Sequence, residues 1–498
     1  MPTIPPAAAV RPLVLSLDIG SSSIRAMIFD AQACDVAELV ARATYVLRAT
    51  DDGGQEADAE AMLTAVACAL DEALAAAGPL AGEIAAVASC SLVSNLLGVD
   101  AAGQPTTPVY FWGDTRAAPD TAALRAEVDG AAWHERTGTV LHTSYLAPRF
   151  RWLARTAPDV LARTTHWLSF GEYLYLRLFG VRACSLSVAS WTGLLNRHTL
   201  TWDAESLAVL PIRADQLSPL VDIGDTLHGL TGDYATRWPT LATVPWLPTV
   251  GDGATANLGS GCVAPDTLAL TIGTSGAMRV VLPDPVPTLP PGLWLYRVDR
   301  RRALLGGALS NGGNLYEWMF HTLNLSGLRD LEAAVAALPP DGHGLTVLPF
   351  FAGERSPGWA ADACATIDGL RLATTAPEIL RAGLEAIAYR FALILAALAP
   401  QVPRARHAVA SGAGLLHSPA WLQIHADVLG LPVIASAEPE ASSRGNALLA
   451  LEVLGTIPNA AAQPAALGPT YTPNPAHHAI YAQAVARQQA LYAKLVAG

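Results

Sequence analysis

The sequence predicts an α/β protein built from two related halves. A chain of 498 residues is longer than a single hydrophobic core usually serves, so two or three domains are expected. Its 51% apolar content can fill large cores, and its 15% charged content is far from that of a disordered chain. One strand–turn–strand pattern occurs near the N-terminus and again near mid-chain, with a long helical pattern after each copy. Strands that alternate with helices are typical of α/β architecture.

The first copy of the pattern covers residues 13–30. It is apolar up to Ile19, turns through small residues at 20–23 and resumes as an apolar run from Ile24. A glycine and hydroxylated residues between two apolar strands predict a β-hairpin. Residues 1–12 are rich in proline and alanine, and we expect them to form a flexible N-terminal segment.

The second copy covers residues 268–282, with a GTSG turn at 273–276. The two turns are separated by about half of the chain, which indicates a duplicated domain rather than a short repeat. We place the domain boundary near Gly261. Residues 13–260 then form the N-terminal domain and residues 261–498 the C-terminal domain.

Two long segments have helical periodicity. Residues 57–77 are rich in alanine and leucine, and residues 377–399 carry apolar side chains at helical spacing after an initial proline. Each predicts a helix that packs on the sheet of its own half. Residues 203–248 contain many proline, glycine and aspartate residues between short apolar pieces, which predicts an irregular connection.

The cationic residues exclude several enzyme classes. Of the 31 lysines and arginines, only Lys494 is a lysine, and it lies four residues from the C-terminus. P-loop nucleotidases, pyridoxal-phosphate enzymes, Schiff-base aldolases and protein kinases each need a lysine in the active site. These classes are therefore excluded, and any bound phosphate must be held by arginine, backbone N–H groups or metal ions.

Charge and hydropathy point to a cytoplasmic protein. A net charge of -12 disfavours binding to nucleic acid, whose phosphates dominate affinity. The N-terminus lacks the basic region of a secretory signal, and the uncharged run at residues 84–99 is short for a membrane span and contains polar residues. We expect neither a nucleic-acid nor a membrane partner. A homodimer is compatible with the sequence. The six cysteines lie far apart and are expected to be buried free thiols.

Three glycine-bearing turns suit contact with phosphate or nucleotide. They lie at residues 18–22, 273–276 and 411–414. A turn without bulky side chains lets N–H groups approach phosphate oxygens, and flanking hydroxyls add donors. Each turn alone is more typical of an ordinary hairpin or loop than of a phosphate site. Two of them occupy matching positions in the two halves, which favours phosphate binding without lysine.

Two aspartates adjoin glycines. Asp18 ends the first apolar strand, where it either caps the turn or holds Mg2+ through water beside phosphates. Asp252 lies between Gly251 and Gly253 ahead of a helix-like segment. There it is either an N-terminal helix cap or a general base on a loop at the domain junction.

These residues belong to a longer series of motifs in a fixed order. The series is DIGSS at 18–22, WGDTR at 112–116, GDGA at 251–254, GTSG at 273–276, and Gly412-x-Gly414 followed by WxQxxADxLGxPV at 421–433. It resembles the FGGY family of carbohydrate kinases from residue 13 to about residue 455. The segments GERSPGW at 353–359 and LLGVD at 96–100 resemble the gluconokinase and xylulokinase branches more than the glycerol kinases.

The resemblance implies two actin-like, ribonuclease H-like domains, with ATP and a sugar meeting in the cleft between them. Asp252 corresponds to the general base that takes the proton of the sugar hydroxyl, and Asp18 to the metal-associated carboxylate. The residues implied for ATP fall into two groups: Gly20, Ser21, Ser22, Gly273, Thr274 and Ser275 at the phosphates, and Gly313, Gly412, Gly414 and Ser418 at the adenosine.

The resemblance also implies a sugar-side motif made of Trp112, Asp114 and Arg116. For Arg116, an ion pair with Asp114 is an equally good interpretation. Many xylulokinases and gluconokinases carry a histidine in the region that corresponds to residues 89–95, and this chain has none there. Ser94 or Asn95 would take its place, so the sugar pocket is altered.

The sequence thus predicts an ATP- and Mg2+-dependent kinase of a small sugar, sugar acid or polyol, with gluconate and a ketopentose such as xylulose as leading substrates. A sugar- and nucleotide-binding regulator without turnover is one alternative, and an actin-like ATPase that remodels partners is another. The presence of both Asp18 and Asp252 disfavours the regulator, and the motif at 112–116 disfavours the ATPase. Glu354 and Arg355 either contact the substrate or close the domain interface, and we favour the interface.

Overall fold

The computed structural model describes residues 3–327 and 330–496. The N-terminal half contains the strands Leu13–Ile19 (β1), Ser23–Phe29 (β2), Asp35–Thr44 (β3), Arg48–Ala49 (β4), Gln55–Ala57 (β5), Ile84–Ser91 (β6), Leu97–Val99 (β7), Val109–Tyr110 (β8), His166–Leu168 (β9), Cys184–Ser185 (β10), Leu195–Asn196 (β11), Thr201–Trp202 (β12), Leu220–Val221 (β13) and Val250–Gly251 (β14). Its α-helices are Ala59–Ala77 (α1), Ala118–Glu127 (α2), Gly130–Thr137 (α3), Leu146–Thr156 (α4), Pro158–Arg163 (α5), Phe170–Phe179 (α6), Leu186–Trp191 (α7), Ala204–Ala208 (α8), Gly232–Arg237 (α9) and Asp252–Gly259 (α10).

The C-terminal half follows. Its strands are Thr267–Ile272 (β15), Gly276–Pro283 (β16), Trp294–Arg297 (β17), Arg302–Leu309 (β18), Thr346–Leu348 (β19), Thr366–Asp368 (β20), His407–Ser411 (β21), Val433–Ser436 (β22) and Leu467–Tyr471 (β23). Its α-helices are Gly313–Thr322 (α11), Leu331–Ala337 (α12), Ala376–Leu398 (α13), Ala413–Leu416 (α14), Pro419–Leu429 (α15), Ala441–Val453 (α16) and Pro475–Leu495 (α17).

Each half is organised around one mixed sheet with the same connectivity. The N-terminal sheet has the order β14-β6-β1-β2-β3, and the C-terminal sheet has the order β17-β18-β16-β15-β21-β22-β23. In both sheets a strand starts an antiparallel meander on one side and pairs with a later parallel strand on the other, β1 with β6 and β15 with β21. The predicted duplication of an α/β domain is confirmed.

The predicted hairpins and long helices are present. The two hairpins are β1/β2 and β15/β16. The first predicted helix begins at Ala59 rather than residue 57, because the Asp58 carboxylate accepts a hydrogen bond from the Ala61 N–H (2.8 Å) and caps it. The second is α13, which begins at residue 376 behind a capping box made by Thr375 and Glu378.

The N-terminal segment differs from the expectation of flexibility. Within residues 3–12, the Ile4 N–H donates to the Asp35 carbonyl (3.0 Å) and Ile4 bridges Val36 beside β3. The Val10 N–H donates to the Asp30 carboxylate (3.1 Å), and Ala9 is buried. These contacts hold the segment against the edge of the first sheet, which the proline-rich composition did not indicate.

Two helices join the halves through a shared core. Helices α10 and α16 pack against each other, and α16 also packs on β1 and β6 of the other half. Apolar side chains from both sheets and both helices form one buried cluster, which includes Val14, Ala88, Leu258, Val281 and Leu448. The Asn446 amide donates to the Ser16 hydroxyl (3.1 Å) and the Leu17 carbonyl (3.3 Å), which ties α16 to β1.

Two further expectations have mixed outcomes. In the described part of the chain, one helical stretch, Ala59–Glu83, is long and apolar enough to cross a membrane, but half of it is buried inside the protein, as in a core helix. Cys34, Cys90, Cys184 and Cys262 are buried and form no disulfide among the described residues, as expected, whereas Cys68 and Cys364 are exposed.

Candidate active site

A cavity of about 390 Å3 opens between the two halves, and both contribute to its walls. The N-terminal half supplies residues from the β1–β2 turn, from the loops after β6 and β8, from α7 and from the start of α10. The C-terminal half supplies the β15–β16 turn, β16, β17 and the loop at 355–359. The residues that line the cavity include Ser21, Ser94, Trp112, Trp191, Asp252, Gly273, Thr274, Ser275, Arg279, Tyr296, Arg355 and Trp359.

Asp252 is placed in the cavity by the start of α10. It is the first residue of that helix, after the N-cap Gly251, and its Oδ1 accepts the Gly253 N–H (2.7 Å). Burial and the nearby charge of Asp18 raise the pKa of Asp252 to about 6, while the Gly253 N–H and the Arg279 guanidinium oppose the rise. A carboxylate with this pKa is ionised at neutral pH and basic enough to accept a proton, as general-base catalysis requires.

The pKa of Asp252 predicts the pH dependence of turnover. If Asp252 must be ionised to act, kcat/KM rises with pH through about pH 6 and reaches a plateau above it. A pH–rate profile between pH 4.5 and 8.5 at limiting acceptor concentration measures this acidic limb. An acidic limb near pH 4, the ordinary pKa range of an aspartate, would contradict the assignment of Asp252 as the general base.

Asp18 lies at the end of β1, opposite Arg25 in β2 and Cys90 in β6. It is buried, with the Cys90 thiol 3.3 Å from Oδ1 and the Arg25 guanidinium 3.7 Å from Oδ2. Burial raises the pKa of Asp18, and the charge of Arg25 opposes that rise. The Cys90 thiol donates a hydrogen bond to Oδ1, and Asp18 does not line the cavity.

Arg25 is a cation of this site that the sequence motifs did not single out. Its guanidinium lies between Asp18 and Glu440, to which it is ion-paired, and Glu440 also pairs with Arg42. Glu440 precedes α16 in the other half of the chain. The ion pair of Arg25 and Glu440 therefore connects the two halves beside the turn at Gly20–Ser22.

The two turns that were predicted to bind phosphate approach the cleft from opposite sheets. Ser21 of the first turn and residues 273–275 of the second turn line the cavity. Gly20 and Ser22 lie beside Ser21 in the same β1–β2 turn but do not line the cavity. The second turn is held by α11, since the Gly313 N–H donates to the Gly273 carbonyl (2.8 Å) and the Asn314 N–H to the Thr274 carbonyl (3.1 Å).

The residues assigned to the adenosine fall into two groups. Gly313, Gly412 and Gly414 pack around the backbone of Ile272 and Gly273, and Gly412 has a φ of +88° that favours glycine. None of the three lines the cavity, but all three lie against the second turn. Ser418 is not brought to the cavity: it caps α15 through the Trp421 N–H (3.1 Å) and bonds the Glu332 carboxylate (2.9 Å).

The residues assigned to the sugar also fall into two groups. Ser94 and Trp112 line the cavity. Asp114 and Arg116 do not: the Arg116 guanidinium donates to Asp114 (2.6 Å) and contacts Glu56 (3.2 Å). It also stacks on the ring of Trp152, with 4.6 Å to its centroid. The ion-pair interpretation of Arg116 therefore describes the structure.

Three buried N–H groups in the cavity wall were not predicted from the sequence. They are Nε of Arg279, Nε of Arg355 and Nε1 of Trp191, and none has a hydrogen-bond partner among the described residues. Arg279 lies in β16, and a charged residue within an otherwise apolar strand was the available signal. Arg355 both lines the cavity and stacks across the interface on Trp112, with 5.4 Å to the ring centroid.

Aromatic side chains from both halves complete the walls. Trp191 stacks on Tyr296 at 3.6 Å between ring centroids, and Tyr296 in turn stacks on Trp294 at 4.3 Å. The hydroxyls of Tyr145 and Tyr296 are 2.6 Å apart. Because Trp191 and Tyr145 belong to the N-terminal half and the others to the C-terminal half, these contacts close the cavity across the interface.

An interdomain cleft that brings together two glycine turns, a buried carboxylate at a strand end and a second carboxylate of raised pKa defines a phosphotransferase built from duplicated ATPase-type domains. Sequence comparison matches residues 13–259 to the N-terminal domain, and residues 268–452 to the C-terminal domain, of the FGGY family of carbohydrate kinases. The chain belongs to this family and is a carbohydrate kinase. The two actin-like, ribonuclease H-like domains that the resemblance implied are confirmed.

Relatives of this chain carry different substrate names. The gluconokinase of Bacillus subtilis (strain 168) is 26% identical over 404 residues, which cover 79% of this chain and 79% of that protein. The glycerol kinase of Rhodospirillum centenum is 32% identical over 453 residues, which cover 88% and 89%. The solved structure of ligand-bound xylulose kinase from Lactobacillus acidophilus matches with a TM-score of 0.91 at 25% identity, over 98% of this chain and 99% of that chain. Similarity alone does not select a substrate.

Proposed function

We propose that the protein transfers the terminal phosphoryl group of ATP to a hydroxyl of a small polyhydroxy acid of the gluconate type, with Asp252 as the general base. The observation that carries this choice is the pair of arginines, Arg279 and Arg355, that line the same cavity as Asp252 and form no ion pair with any carboxylate of the described residues.

The two arginines favour an anionic acceptor. Neither forms an ion pair within 4 Å among the described residues, and burial lowers the pKa of both. The charge of Asp252 partly offsets the burial of Arg279. A partly buried cation without a direct ion pair is still costly, and a bound carboxylate would lower that cost. Guanidinium groups bind carboxylates through paired, charge-assisted hydrogen bonds, which a neutral sugar does not offer. Together with the Trp191 N–H, the two guanidinium groups supply hydrogen-bond donors for the carboxylate and an adjacent hydroxyl of the acceptor.

Asp252 is positioned for the proton transfer. As the acceptor hydroxyl attacks the terminal phosphorus of ATP, the bond between that phosphorus and the bridging oxygen breaks, and ADP leaves. The hydroxyl proton moves to the Asp252 carboxylate. The Gly253 N–H fixes one carboxylate oxygen, so the other remains available to the hydroxyl. The aromatic contacts across the interface would limit the access of water, which would otherwise compete as the acceptor.

In this proposal, backbone N–H groups and oxygen ligands hold ATP and its cation. Membership of a kinase family implies ATP as the phosphoryl donor. The turns at Gly20–Ser22 and Gly273–Ser275 would hold its phosphates, and the glycine surface at Gly313, Gly412 and Gly414 its adenosine. The buried carboxylate of Asp18, at the strand end beside the first turn, would suit a hard cation bound through water, and Mg2+ there would neutralise phosphate charge. A cytoplasmic location is part of the proposal.

A ketopentose such as xylulose is the second candidate. The observation that favours it is the aromatic wall of Trp112, Trp191 and Tyr296, because such rings pack well against the C–H faces of a sugar. If the acceptor is a neutral sugar, the two arginines would bind the phosphates of ATP instead.

A coupled assay of ADP release with MgATP tests the proposal. Gluconate, other aldonic acids, xylulose, ribulose and glycerol are compared at equal concentrations, and the phosphorylated product is identified by mass spectrometry. We expect the highest kcat/KM with a polyhydroxy acid. A preference for xylulose or glycerol would overturn the substrate class and leave the kinase assignment in place. Binding of sugar acid and nucleotide without turnover would favour the regulator.

A further inference from the structure

The loop at residues 353–360 carries two side chains into the cavity, Arg355 and Trp359. Trp359 also contacts the N-terminal half, with 6.4 Å between its ring centroid and that of Tyr145. The loop is fixed to β18 because the Ser356 N–H donates to the Ala308 carbonyl (2.9 Å) and the Ala308 N–H donates back to the Ser356 hydroxyl (3.1 Å). The conformation of this loop therefore sets one wall of the acceptor pocket.

Glu354 holds the loop from behind the cavity. Its side chain is 2% exposed and does not line the cavity. One carboxylate oxygen accepts the Gly358 N–H (3.3 Å), and the other accepts the Ala360 N–H (3.4 Å). These two N–H groups flank Trp359, and Arg355 follows Glu354 directly in the chain. A single buried carboxylate thus fastens both ends of the segment that presents Arg355 and Trp359.

Two side chains from distant elements hold Glu354 in turn. Arg390 of α13 forms a buried ion pair with it, and the Arg390 guanidinium lies between the rings of Phe350 and Tyr492, 5.2 Å from each centroid. The Tyr492 hydroxyl donates to Glu354 Oε2 (2.7 Å). Tyr492 belongs to the last turn of α17, at the C-terminal end of the described chain.

The fit at this point leaves no space for a larger residue at position 358. A methyl group at Gly358 would collide with both the Tyr492 hydroxyl and the Glu354 carboxylate. The backbone of Gly358 lies outside the left-handed region, so close approach, not backbone conformation, requires glycine here. Gly358, Tyr492 and Glu354 are therefore packed directly against one another.

We propose that Glu354 is a positioning residue for acceptor binding, and that Tyr492 of the C-terminal helix aligns it. The carboxylate holds Arg355 and Trp359 in place without touching the acceptor, so the C-terminal helix contributes to substrate affinity from outside the cavity. This inference rests on the proposed function only for the identity of the acceptor.

The test compares two tyrosines on the same helix. Tyr492→Phe removes the hydroxyl that bonds Glu354. Tyr481→Phe removes a hydroxyl that bonds Glu385 and Arg381 in a separate buried network, so it controls for the loss of a buried hydrogen bond in α17. We expect Tyr492→Phe to raise the KM for the acceptor by about three- to tenfold, as loss of one hydrogen bond predicts. The KM for ATP should change less than about twofold, and Tyr481→Phe should leave both KM values near those of the wild type.

Hydrogen exchange supplies a second measurement that needs no acceptor. In Tyr492→Phe, the amides of Gly358 and Ala360 should exchange several-fold faster, and in Tyr481→Phe they should not. Gly358→Ala, which keeps every hydrogen-bonding group but forces Tyr492 and Glu354 apart, should reproduce the rise in acceptor KM. Glu354→Gln leaves the buried Arg390 without a counter-charge, so it is compared only if it folds.

Two results would overturn the inference. One is an unchanged acceptor KM in both Tyr492→Phe and Gly358→Ala. The other is a parallel change of both KM values and kcat in Tyr492→Phe and Tyr481→Phe, which would indicate general destabilisation. The acceptor is the compound that the wild type phosphorylates best. If that compound is a neutral sugar, the proposed substrate class fails, whereas the comparison of variants still decides the role of Glu354.

Discussion

Replacement of Asp252 by asparagine should reduce kcat by about 10^2- to 10^4-fold, the range expected for loss of a general base. Asparagine keeps the shape and the bond from the Gly253 N–H, but it cannot accept the proton of the attacking hydroxyl. The dissociation constant for ATP should stay within about threefold of the wild-type value, because the glycine turns that are proposed to hold ATP are separate from this side chain. Turnover by the coupled assay and nucleotide binding by calorimetry measure the two effects separately.

The same variant should be more stable than the wild type at alkaline pH. The pKa of Asp252 is about 6 in the folded protein and 3.8 in its ordinary state, so the folded state holds the proton more tightly. This contribution to stability is fully present below pH 3.8 and is lost as the pH rises through 6. Asparagine carries no charge at any pH. The gain in free energy of unfolding at pH 8 should therefore be about 1 to 3 kcal/mol, and it should shrink towards pH 5.

Asp233→Asn is the matched control for Asp252→Asn. Asp233 also lies in the first turn of a helix, α9, but it is exposed and far from the cavity. We expect no change in kcat and no pH-dependent gain in stability. Full activity in Asp252→Asn would contradict the assignment of the base. A loss of activity accompanied by loss of ATP binding would show that Asp252 supports the nucleotide instead.

The local features of the fold were predictable because they depend on neighbouring residues. The hairpin at residues 13–30 and the helix near residues 57–77 follow from apolar periodicity and from turn and cap residues. The position of the N-terminal segment was not predictable. Its anchoring depends on backbone groups of Asp35 and on the Asp30 carboxylate, and no pattern within residues 1–12 indicates these partners.

The site was predictable only where the residue type is unusual for its local position. Asp18 at the end of an apolar strand and Asp252 between two glycines stand out in the sequence, and the structure brings both close to the cleft. Asp114 and Arg116 also belong to one of the motifs, yet they form an ion pair with each other outside the cavity. Whether a charged side chain faces a ligand or a partner depends on tertiary contacts, which the spacing of a motif does not encode.

Arginine takes the place of lysine in this site. The single lysine, Lys494, is exposed in α17, whereas Arg25, Arg279 and Arg355 adjoin the cleft. Arg25 is neutralised by Asp18 and Glu440, so it does not present a free charge. In the part of the chain that the structure describes, Arg279 and Arg355 form no ion pair, although the charge of Asp252 acts on Arg279. The unpaired positive charge of the cleft therefore lies on the side of Asp252, where the acceptor is proposed to bind.

Replacement of Arg279 by methionine should raise the KM for a polyhydroxy-acid acceptor by about 10- to 100-fold, the loss expected for hydrogen bonds to a charged group. The KM for ATP should change little if the arginine binds the acceptor. Loss of the guanidinium also removes a positive charge that lowers the pKa of Asp252. The acidic limb of the pH–rate profile should therefore move above pH 6, which steady-state kinetics across pH would detect.

Arg279→Lys separates the charge of this residue from its geometry. Lysine keeps a positive charge but lacks the planar pair of donors, so the acidic limb should return close to pH 6 while the acceptor KM stays raised. Arg213→Met, at a side chain that is 72% exposed, controls for the loss of a charge and should leave the kinetics unchanged. An increase in the KM for ATP with no change in the acceptor KM would instead place Arg279 at the transferred phosphoryl group. The cavity would then suit a neutral acceptor, since only Arg355 would remain for a carboxylate.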